Sequence, residues 1–258
     1  MRAKLFLATV CGLSLLGVAQ AQSPPPTGGY LGQAIPDTFR ILPPAPVEGS
    51  VRAEADRQTF LATRKLKDGE RWTLAHADDT GLVHALSCAL GLELGVQTTP
   101  KTMSMIGRVS RDGGMITNLP KDANKRRRPY LIDHGPICLE DKRASIATSF
   151  DYPSGHTTAS WALGLVMAEL APDKATDILI RARSYGESRL VCGVHNMSAV
   201  EAGRTNGSVL VAALHGSKAF RDDLEVARAE LAAARKTGTV ADPKACAAEM
   251  ALAEKTPF

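Results

Sequence analysis

Residues 153–171 read Pro-Ser-Gly-His-Thr-Thr-Ala-Ser-Trp-Ala-Leu-Gly-Leu-Val-Met-Ala-Glu-Leu-Ala, and a proline follows them. From Thr157 the apolar and small residues recur at helical spacing, which predicts a helix over 157–171. The first N–H groups of a helix lack partners within it and carry the positive end of its dipole. Ser154, with its hydroxyl, and Gly155, with no side chain, therefore predict an anion-binding site at this helix start, with His156 at its rim.

The spacing of apolar residues predicts helices along most of the remaining chain. Two of them lie around Phe60 and over 82–94, and others lie over 173–186, 196–214, 220–236 and after Asp242-Pro243, with a loop over 187–194. Aromatic residues make up only 5% of the chain, and no stretch alternates β-branched with polar residues, which argues against a sheet. The sequence predicts an all-α fold, a single-domain helical bundle.

Composition divides the chain into three parts. Arg2 and Lys4 precede an apolar run that ends in Ala19-Gln20-Ala21, the pattern of a signal peptide over 1–21. Residues 22–50 are rich in Pro and Gly and predict an extended N-terminal arm, and residues 51–258 form the predicted helical domain. We therefore expect cleavage near Ala21 and a periplasmic or secreted protein.

The net charge of the chain is small. It is +4 for the whole sequence and +2 once Arg2 and Lys4 are removed, a surplus too small to indicate nucleic acid or an anionic membrane as a partner. No second apolar run reaches the ~20 residues that a helix needs to span a bilayer. The sequence therefore predicts a protein that binds neither nucleic acid nor membrane.

Four cysteines remain after cleavage of the signal peptide: Cys88, Cys138, Cys192 and Cys246. In an oxidising compartment an even number favours two disulfides, and three pairings are open. Buried free thiols are the alternative. Cys138 follows a basic run and Cys192 precedes a histidine, so a bridge between them would brace any site that these two segments form.

The basic run spans residues 121–129, Lys-Asp-Ala-Asn-Lys-Arg-Arg-Arg-Pro. If the run is helical, Lys121 and Arg128 are seven residues apart and share one face, so both cations can point at one anion. Taken alone, the run also fits a solvated basic surface.

The pair Ser188-Arg189 is followed, after five residues, by His195. Arginine presents a fixed fork of donors that matches two phosphate oxygens, and histidine can attack phosphorus or transfer protons near neutral pH. The alternative places Arg189 on a surface carboxylate and His195 in the core. The six histidines form no H-x-H or H-E-x-x-H pattern, so the sequence predicts no metal site.

Lys-x6-Arg-Pro, Pro-Ser-Gly-His and Ser-Arg-x5-His, in this order, resemble the three-part signature of the type-2 phosphatidic acid phosphatase superfamily. Within it, the chain resembles the class A bacterial non-specific acid phosphatases. Segments outside the signature are similar too, among them Ile41-Leu42-Pro43-Pro44 and Val200-Glu201-Ala202-Gly203-Arg204, so the resemblance covers nearly the whole mature chain. It implies the all-α bundle that this superfamily shares with the vanadium haloperoxidases.

The resemblance also implies a role for each motif residue. His195 would be the nucleophile that forms a phosphohistidine, and His156 the general acid that protonates the leaving alcohol. The phosphoryl oxygens would be held by Lys121, Arg128, Ser154, Gly155 and Arg189. The implied activity is that of an acid phosphatase, which needs no metal or other cofactor and acts on small organic phosphate esters.

One position departs from the family pattern His-x3-Asp, in which the aspartate accepts the second ring N–H of the nucleophilic histidine. Here that position is Ala199, so His195 lacks an orienting partner unless Ser198, water or a distant carboxylate supplies one. Glu201 is expected to face away. The departure predicts slowed turnover, with a gain expected from Ala199→Asp.

Two other functions remain open from the sequence. Ala199 motivates a non-catalytic phosphate-binding protein, and the shared anion site motivates a vanadate-dependent haloperoxidase. The compact chain and the segments outside the signature favour the phosphatase. The sequence leaves the oligomeric state open, a homo-oligomer included.

Overall fold

The computed structural model describes residues 28–257, so the predicted signal peptide lies outside the described residues. Within them are eleven α-helices and no β-strand, which confirms the all-α prediction. The helices are α1 Thr38–Ile41, α2 Val51–Thr63, α3 Glu70–Ala77, α4 Leu82–Leu90, α5 Pro100–Asn124, α6 Arg143–Ala147, α7 Gly155–Leu170, α8 Ala175–Val191, α9 Met197–Leu214, α10 Lys218–Ala234 and α11 Pro243–Glu254.

Helix α7 lies at the centre of the bundle and packs against α5, α8 and α9. Its small and apolar residues allow this, since Ala162, Leu163, Val166 and Met167 are all fully buried. Helix α8 packs on its other side against α3, α4 and α11, while α10 packs against α5. The helix predicted over 157–171 therefore lies in the core of the domain.

Two glycines let the neighbouring helices approach the start of α7 closely. A Cβ on Gly186 of α8 would lie 2.8 Å from Thr157 Cγ2, and one on Gly203 of α9 would lie 2.8 Å from the Ser154 carbonyl oxygen. Real Cβ contacts are longer, so both positions require glycine at this spacing. The close approach brings the ends of α8 and α9 to the anion site predicted at the α7 start.

Several helix bounds differ from prediction, and the helix predicted over 82–94 ends at Leu90. Helix α8 does not end at Gly186 but continues to Val191, because this glycine packs inside the helix against Thr157 instead of ending it. The predicted loop over 187–194 therefore begins only after Val191. Helix α5 begins at Pro100, well before the basic run over 121–129, and the sequence does not predict α3 as a separate helix.

The described part of the N-terminal segment, residues 28–50, lies along α5. The Tyr30 N–H donates to Asp112 (2.6 Å), and the Thr38 hydroxyl donates to the Ile116 carbonyl (2.9 Å). The Pro43 carbonyl accepts from the Tyr152 hydroxyl at 2.6 Å. These contacts tie the segment to the helix that carries Lys121 and to the chain just before α7.

Two disulfides connect distant parts of the chain, Cys88 with Cys246 and Cys138 with Cys192. The first ties α11 to α4. The second ties the segment after α5 to the end of α8, next to the turn that leads into His195. None of the described helices is long and apolar enough to cross a membrane.

Candidate active site

Ser154 caps the N-terminus of helix α7. Ser154 is fully buried, and its Oγ accepts from the Thr157 N–H (3.4 Å) and from the Thr157 hydroxyl (2.9 Å). With Oγ accepting both bonds, the hydroxyl hydrogen of Ser154 remains to be donated to an anion. Gly155 and His156 form the first turn of the helix, where the backbone N–H groups lack helical partners.

A cavity of about 280 Å³ opens at this helix start. Five of the seven predicted site residues line it, namely Lys121, Arg128, Gly155, His156 and His195. Ser154 and Arg189 are not among the lining residues, but both are buried beside them. The remaining lining residues come mostly from one face of α5: Ser110, Gly113, Gly114, Thr117 and Asn118, with Ser149 and Ala159.

The basic run reaches the cavity by a different route from the predicted one. Helix α5 ends at Asn124, Lys125 adopts a left-handed conformation, and Arg128 lies in extended backbone. Lys121 and Arg128 therefore do not share a helical face, and the helical premise is wrong. Both still line the cavity, because the turn at Lys125 reverses the chain toward it.

Arg128 is held rigidly by the chain around it. Its Nε donates to the Ile146 and Ser149 carbonyls (3.1 and 2.9 Å), and its Nη1 donates to the Val194 carbonyl (2.7 Å). Lys121 Nζ donates to the Phe150 carbonyl at 2.6 Å. The two cations are thus placed before any anion binds, which lowers the cost of binding one.

His195 is held in one tautomer. Its Nδ1 lies 2.9 Å from Asp151 Oδ1, and its Nε2 lies 3.1 Å from Arg128 Nη1. A guanidinium has only donors, so Nε2 must be the acceptor and Nδ1 must carry the hydrogen that Asp151 accepts. The Nε2 lone pair therefore faces Arg128, one of the residues that line the cavity, and it can attack phosphorus only once this N–H donates elsewhere, as to a phosphate oxygen.

Asp151 supplies the orienting carboxylate that Ala199 cannot. It is fully buried, and its oxygens also accept from the Asn196 N–H (3.1 Å) and side-chain amide (2.8 Å). Of the alternatives that the sequence leaves open, the structure shows the distant carboxylate in contact with His195. Ser198 is not that partner, because its N–H and hydroxyl both donate to Asp56.

Arg189 and His156 meet at Asp79, a residue of the turn between α3 and α4. Arg189 Nη1 donates to Asp79 Oδ1 (3.0 Å), and His156 Nε2 donates to the Asp79 carbonyl (3.1 Å). Arg189 Nε is buried and has no hydrogen-bond partner among the described residues. An anion in the neighbouring cavity can satisfy this unused donor. In the sequence, Asp79 has no signal beyond that of a helix start.

Asp78, the residue before Asp79, anchors the motif on α8. Its carboxylate pairs with Arg181 (2.6 and 3.1 Å) and accepts from the Ser188 hydroxyl (2.5 Å). Ser188 of the third motif is therefore a structural contact that fixes the last turns of α8. This contact sets the position of Arg189, the next residue.

The cations and burial shift three pKa values. Burial, and then Arg128, Lys121 and Arg189, lower the pKa of His195 well below its ordinary value, which favours the unprotonated Nε2. Arg189, followed by burial, lowers the pKa of His156 to about 3. Burial, followed by Arg128, lowers the pKa of Lys121 to about 8. An anion in the cavity opposes these cations and therefore raises all three values.

Known proteins are similar to this chain over the region that carries the predicted site residues. A family model described as "PAP2 superfamily" matches residues 107–222, which contain all seven predicted site residues. An acid phosphatase of Zymomonas mobilis is 38% identical over 242 residues, covering 92% of this chain and 91% of that protein. A non-specific acid phosphatase of Providencia stuartii is 32% identical over 209 residues, covering 79% and 84%.

A non-specific acid phosphatase of Salmonella typhi is 30% identical over 195 residues, which cover 74% of this chain and 78% of that protein. The identities extend well beyond the matched family region, as the similar segments outside the signature predict. Together with the all-α fold and the clustered motif residues, they show that the chain belongs to the bacterial non-specific acid phosphatases of the PAP2 superfamily.

Proposed function

We propose that this protein is an exported acid phosphatase that hydrolyses phosphate monoesters of small organic molecules through a phosphohistidine on His195, without a metal ion. The observation that carries the proposal is the tautomer of His195. Its Nδ1 hydrogen is held by Asp151, and its Nε2 lone pair lies at a cavity lined by Lys121 and Arg128.

In the first step the Arg128 N–H that donates to Nε2 turns to a phosphate oxygen, Nε2 attacks phosphorus, and the bond to the ester oxygen breaks. The departing oxygen takes a proton from His156, and the Nδ1–H···Asp151 hydrogen bond stabilises the ring as it gains positive charge. In the second step a water molecule gives a proton to His156 and attacks phosphorus. The N–P bond breaks, inorganic phosphate leaves, and both histidines return to their starting states.

The nitrogen of His156 that transfers the proton follows from its contacts. Because the Asp79 carbonyl accepts from Nε2–H, the nitrogen that gains and loses the proton is Nδ1. The pKa of His156 is lowered to about 3 beside Arg189 when the cavity holds no anion. A bound phosphate dianion raises this value, so the charged acid forms in the substrate complex, and rates should increase from neutral toward acidic pH.

The two other functions have less support. The non-catalytic proposal is motivated by a missing orienting carboxylate, and Asp151 occupies that role in the structure. The vanadate-dependent proposal shares the anion site, but the relatives from Zymomonas mobilis and Providencia stuartii are named acid phosphatases. An assay of halide oxidation with added vanadate separates the haloperoxidase from the phosphatase.

Export is supported by the cysteines. Cys88, Cys138, Cys192 and Cys246 are all paired in disulfides, which persist in oxidising compartments. Sequencing of the mature N-terminus tests the cleavage site near Ala21.

The proposed function is tested by measuring phosphate release from p-nitrophenyl phosphate across acidic to neutral pH, with and without EDTA. Activity that resists EDTA and falls as the pH rises supports the proposal. Activity abolished by EDTA and restored by a divalent metal would contradict the metal-free mechanism.

Anion binding is expected to weaken as the pH rises through about 8. Lys121 is a cation below its lowered pKa and neutral above it, so its attraction for an anion is lost in this range. Sulfate is the suitable probe, because its own charge is constant across the range. The inhibition constant of sulfate should rise severalfold between pH 7 and 9, and Lys121→Arg should remove this dependence. An equal rise in both proteins would contradict the role of Lys121.

Asp79→Asn is expected to impair leaving-group protonation. The carboxylate raises the pKa of His156, whereas Arg189 lowers it, so loss of the carboxylate makes the charged acid harder to form. We expect kcat for phenyl phosphate to fall about tenfold, and kcat for 2,4-dinitrophenyl phosphate, whose leaving group needs no proton, to change about twofold or less.

The matched control is Asp133→Asn, which removes an ion pair with Arg57 outside the cavity and should change neither substrate's rate. Equal losses for the two substrates in Asp79→Asn would show that Asp79 does not act through His156.

A further inference from the structure

We propose that the orienting carboxylate of this enzyme has moved from helix α9 to the segment before α7, and that Asp151 and Ala199 form an exchangeable pair. In the resembled family the carboxylate lies four residues after the nucleophilic histidine, at the position of Ala199. In this chain Asp151 performs the same function from 44 residues before His195. The inference rests on the proposed function and names a positioning residue for its nucleophile.

The contacts of Asp151 match what such a residue must do. Oδ1 lies 2.9 Å from His195 Nδ1 and also accepts from the Asn196 N–H, and Oδ2 accepts from the Asn196 side chain. The Asp151 N–H donates to the Arg126 carbonyl at 2.8 Å, which fixes its backbone. Both carboxylate oxygens are thus occupied, and the ring of His195 is held in one orientation.

The charge of this buried carboxylate is compensated locally. Arg126 Nη1 lies 3.4 Å from Asp151 Oδ2, while its Nη2 pairs with Asp56 at 2.8 Å. Arg126 belongs to the basic run but does not line the cavity. It therefore stabilises the carboxylate behind the nucleophile, a role outside the three motifs.

Residue 199 is hydrogen-bonded to the segment that carries Asp151. The Ala199 carbonyl accepts from the Ser154 N–H at 2.9 Å, three residues after Asp151. The Ala199 side chain is fully buried and packs with Leu42, Tyr152 and Ala202. A small apolar residue fits this position, and a carboxylate there would be buried among apolar groups.

One imidazole N–H can be donated to one orienting carboxylate, so the two positions should not both carry one. With Asp151 in place, an aspartate at 199 adds a second buried negative charge close to the first, and burial of an unpaired charge is costly. The gain in turnover that the sequence predicts for Ala199→Asp is therefore not expected. The same substitution should help only after the side chain of Asp151 is removed.

The test compares four proteins: wild type, Asp151→Ala, Ala199→Asp and the double variant. Asp151→Ala should lower kcat for p-nitrophenyl phosphate about 10- to 100-fold, the usual size of the effect when such an orienting partner is lost. Ala199→Asp alone should give no gain. The double variant should recover at least about tenfold over Asp151→Ala, which is the lower end of the same range.

A second measurement does not depend on activity. A carboxylate-bound imidazole N–H gives a far-downfield proton resonance, which histidine labelled with nitrogen-15 assigns to the ring. The resonance should be present in wild type, absent in Asp151→Ala and present again in the double variant. Loss of folding in Asp151→Ala would show in its melting temperature, and Asp151→Leu, which keeps the branched shape but offers no acceptor, then replaces it in the series.

Three results would overturn the inference: an increase in kcat for Ala199→Asp alone, an unchanged kcat and resonance in Asp151→Ala, or a double variant as slow as Asp151→Ala. If the wild type shows no phosphatase activity, the proposed function fails instead. The resonance series still reports in that case whether Asp151 holds His195.

Discussion

Replacing His195 with alanine is expected to lower turnover of p-nitrophenyl phosphate by about 10⁴- to 10⁶-fold, as loss of a nucleophile does in other enzymes that form covalent intermediates. The reason is that, of the two histidines that line the cavity, His156 gains a proton at Nδ1 in the proposed substrate complex, whereas His195 keeps the Nε2 lone pair for attack. His156 is held through its Nε2 by Asp79 and serves as the proton donor.

The measurement is kcat at acidic pH in EDTA, together with trapping of labelled phosphate on the protein. A phosphohistidine is stable in alkali and labile in acid, so the label should survive only an alkaline quench and should be absent from His195→Ala. The control is His76→Ala, since His76 is exposed and does not line the cavity. Label that remains in His195→Ala would place the covalent intermediate elsewhere.

Replacing Arg189 with alanine is expected to lower kcat/KM by about 10³-fold. Cationic and hydrogen-bond donors aimed at a transferring phosphoryl group commonly contribute this much, because charge on its oxygens must be stabilised in the transition state. Arg189 is fixed for this role: Nη1 is held by Asp79, and the buried Nε has no partner among the described residues. Loss of the side chain should also weaken inhibition by sulfate.

The matched control for Arg189 is Arg183→Ala on the same helix. Arg183 pairs with Glu187 and with the Ala253 carbonyl, away from the cavity. Its loss should lower the melting temperature and leave kcat/KM nearly unchanged. If Arg189→Ala and Arg183→Ala lower kcat/KM equally, Arg189 contributes to the fold of α8 and not to phosphate binding. Arg189→Lys should recover only part of the rate, because an ammonium lacks the planar fork.

Much of the fold could be predicted from local pattern. The helix over 157–171 lies within one residue or two of α7, and 196–214 matches α9 equally well. Errors in the predicted helix bounds arise where one residue type is compatible with two structural roles. Gly186 fits the pattern of a helix end, but in the structure it permits close packing of α8 on Thr157.

The candidate site was also predictable from the sequence only in part. The seven motif residues could be named from the sequence, because their types and spacing resemble a family signature. How Lys121 and Arg128 reach the cavity could not, because a left-handed residue at Lys125 turns the chain, and nothing in the run requires that turn. Asp79 and Asp151 lie outside the motifs, and Arg126 occupies an unspecified position between Lys121 and Arg128, so the sequence does not predict that these residues act at the site.

The sequence alone determined the fold class and the position of most helices, because these depend on local spacing, and its resemblance to a family signature named the residues that we propose hold a phosphoryl group. Only the tertiary structure decided which carboxylate accepts from His195. Asp151 and His195 are 44 residues apart, and their contact exists because glycines let α8 and α9 pack closely on the start of α7. A hydrogen bond over such a separation is set by packing, which no local pattern encodes.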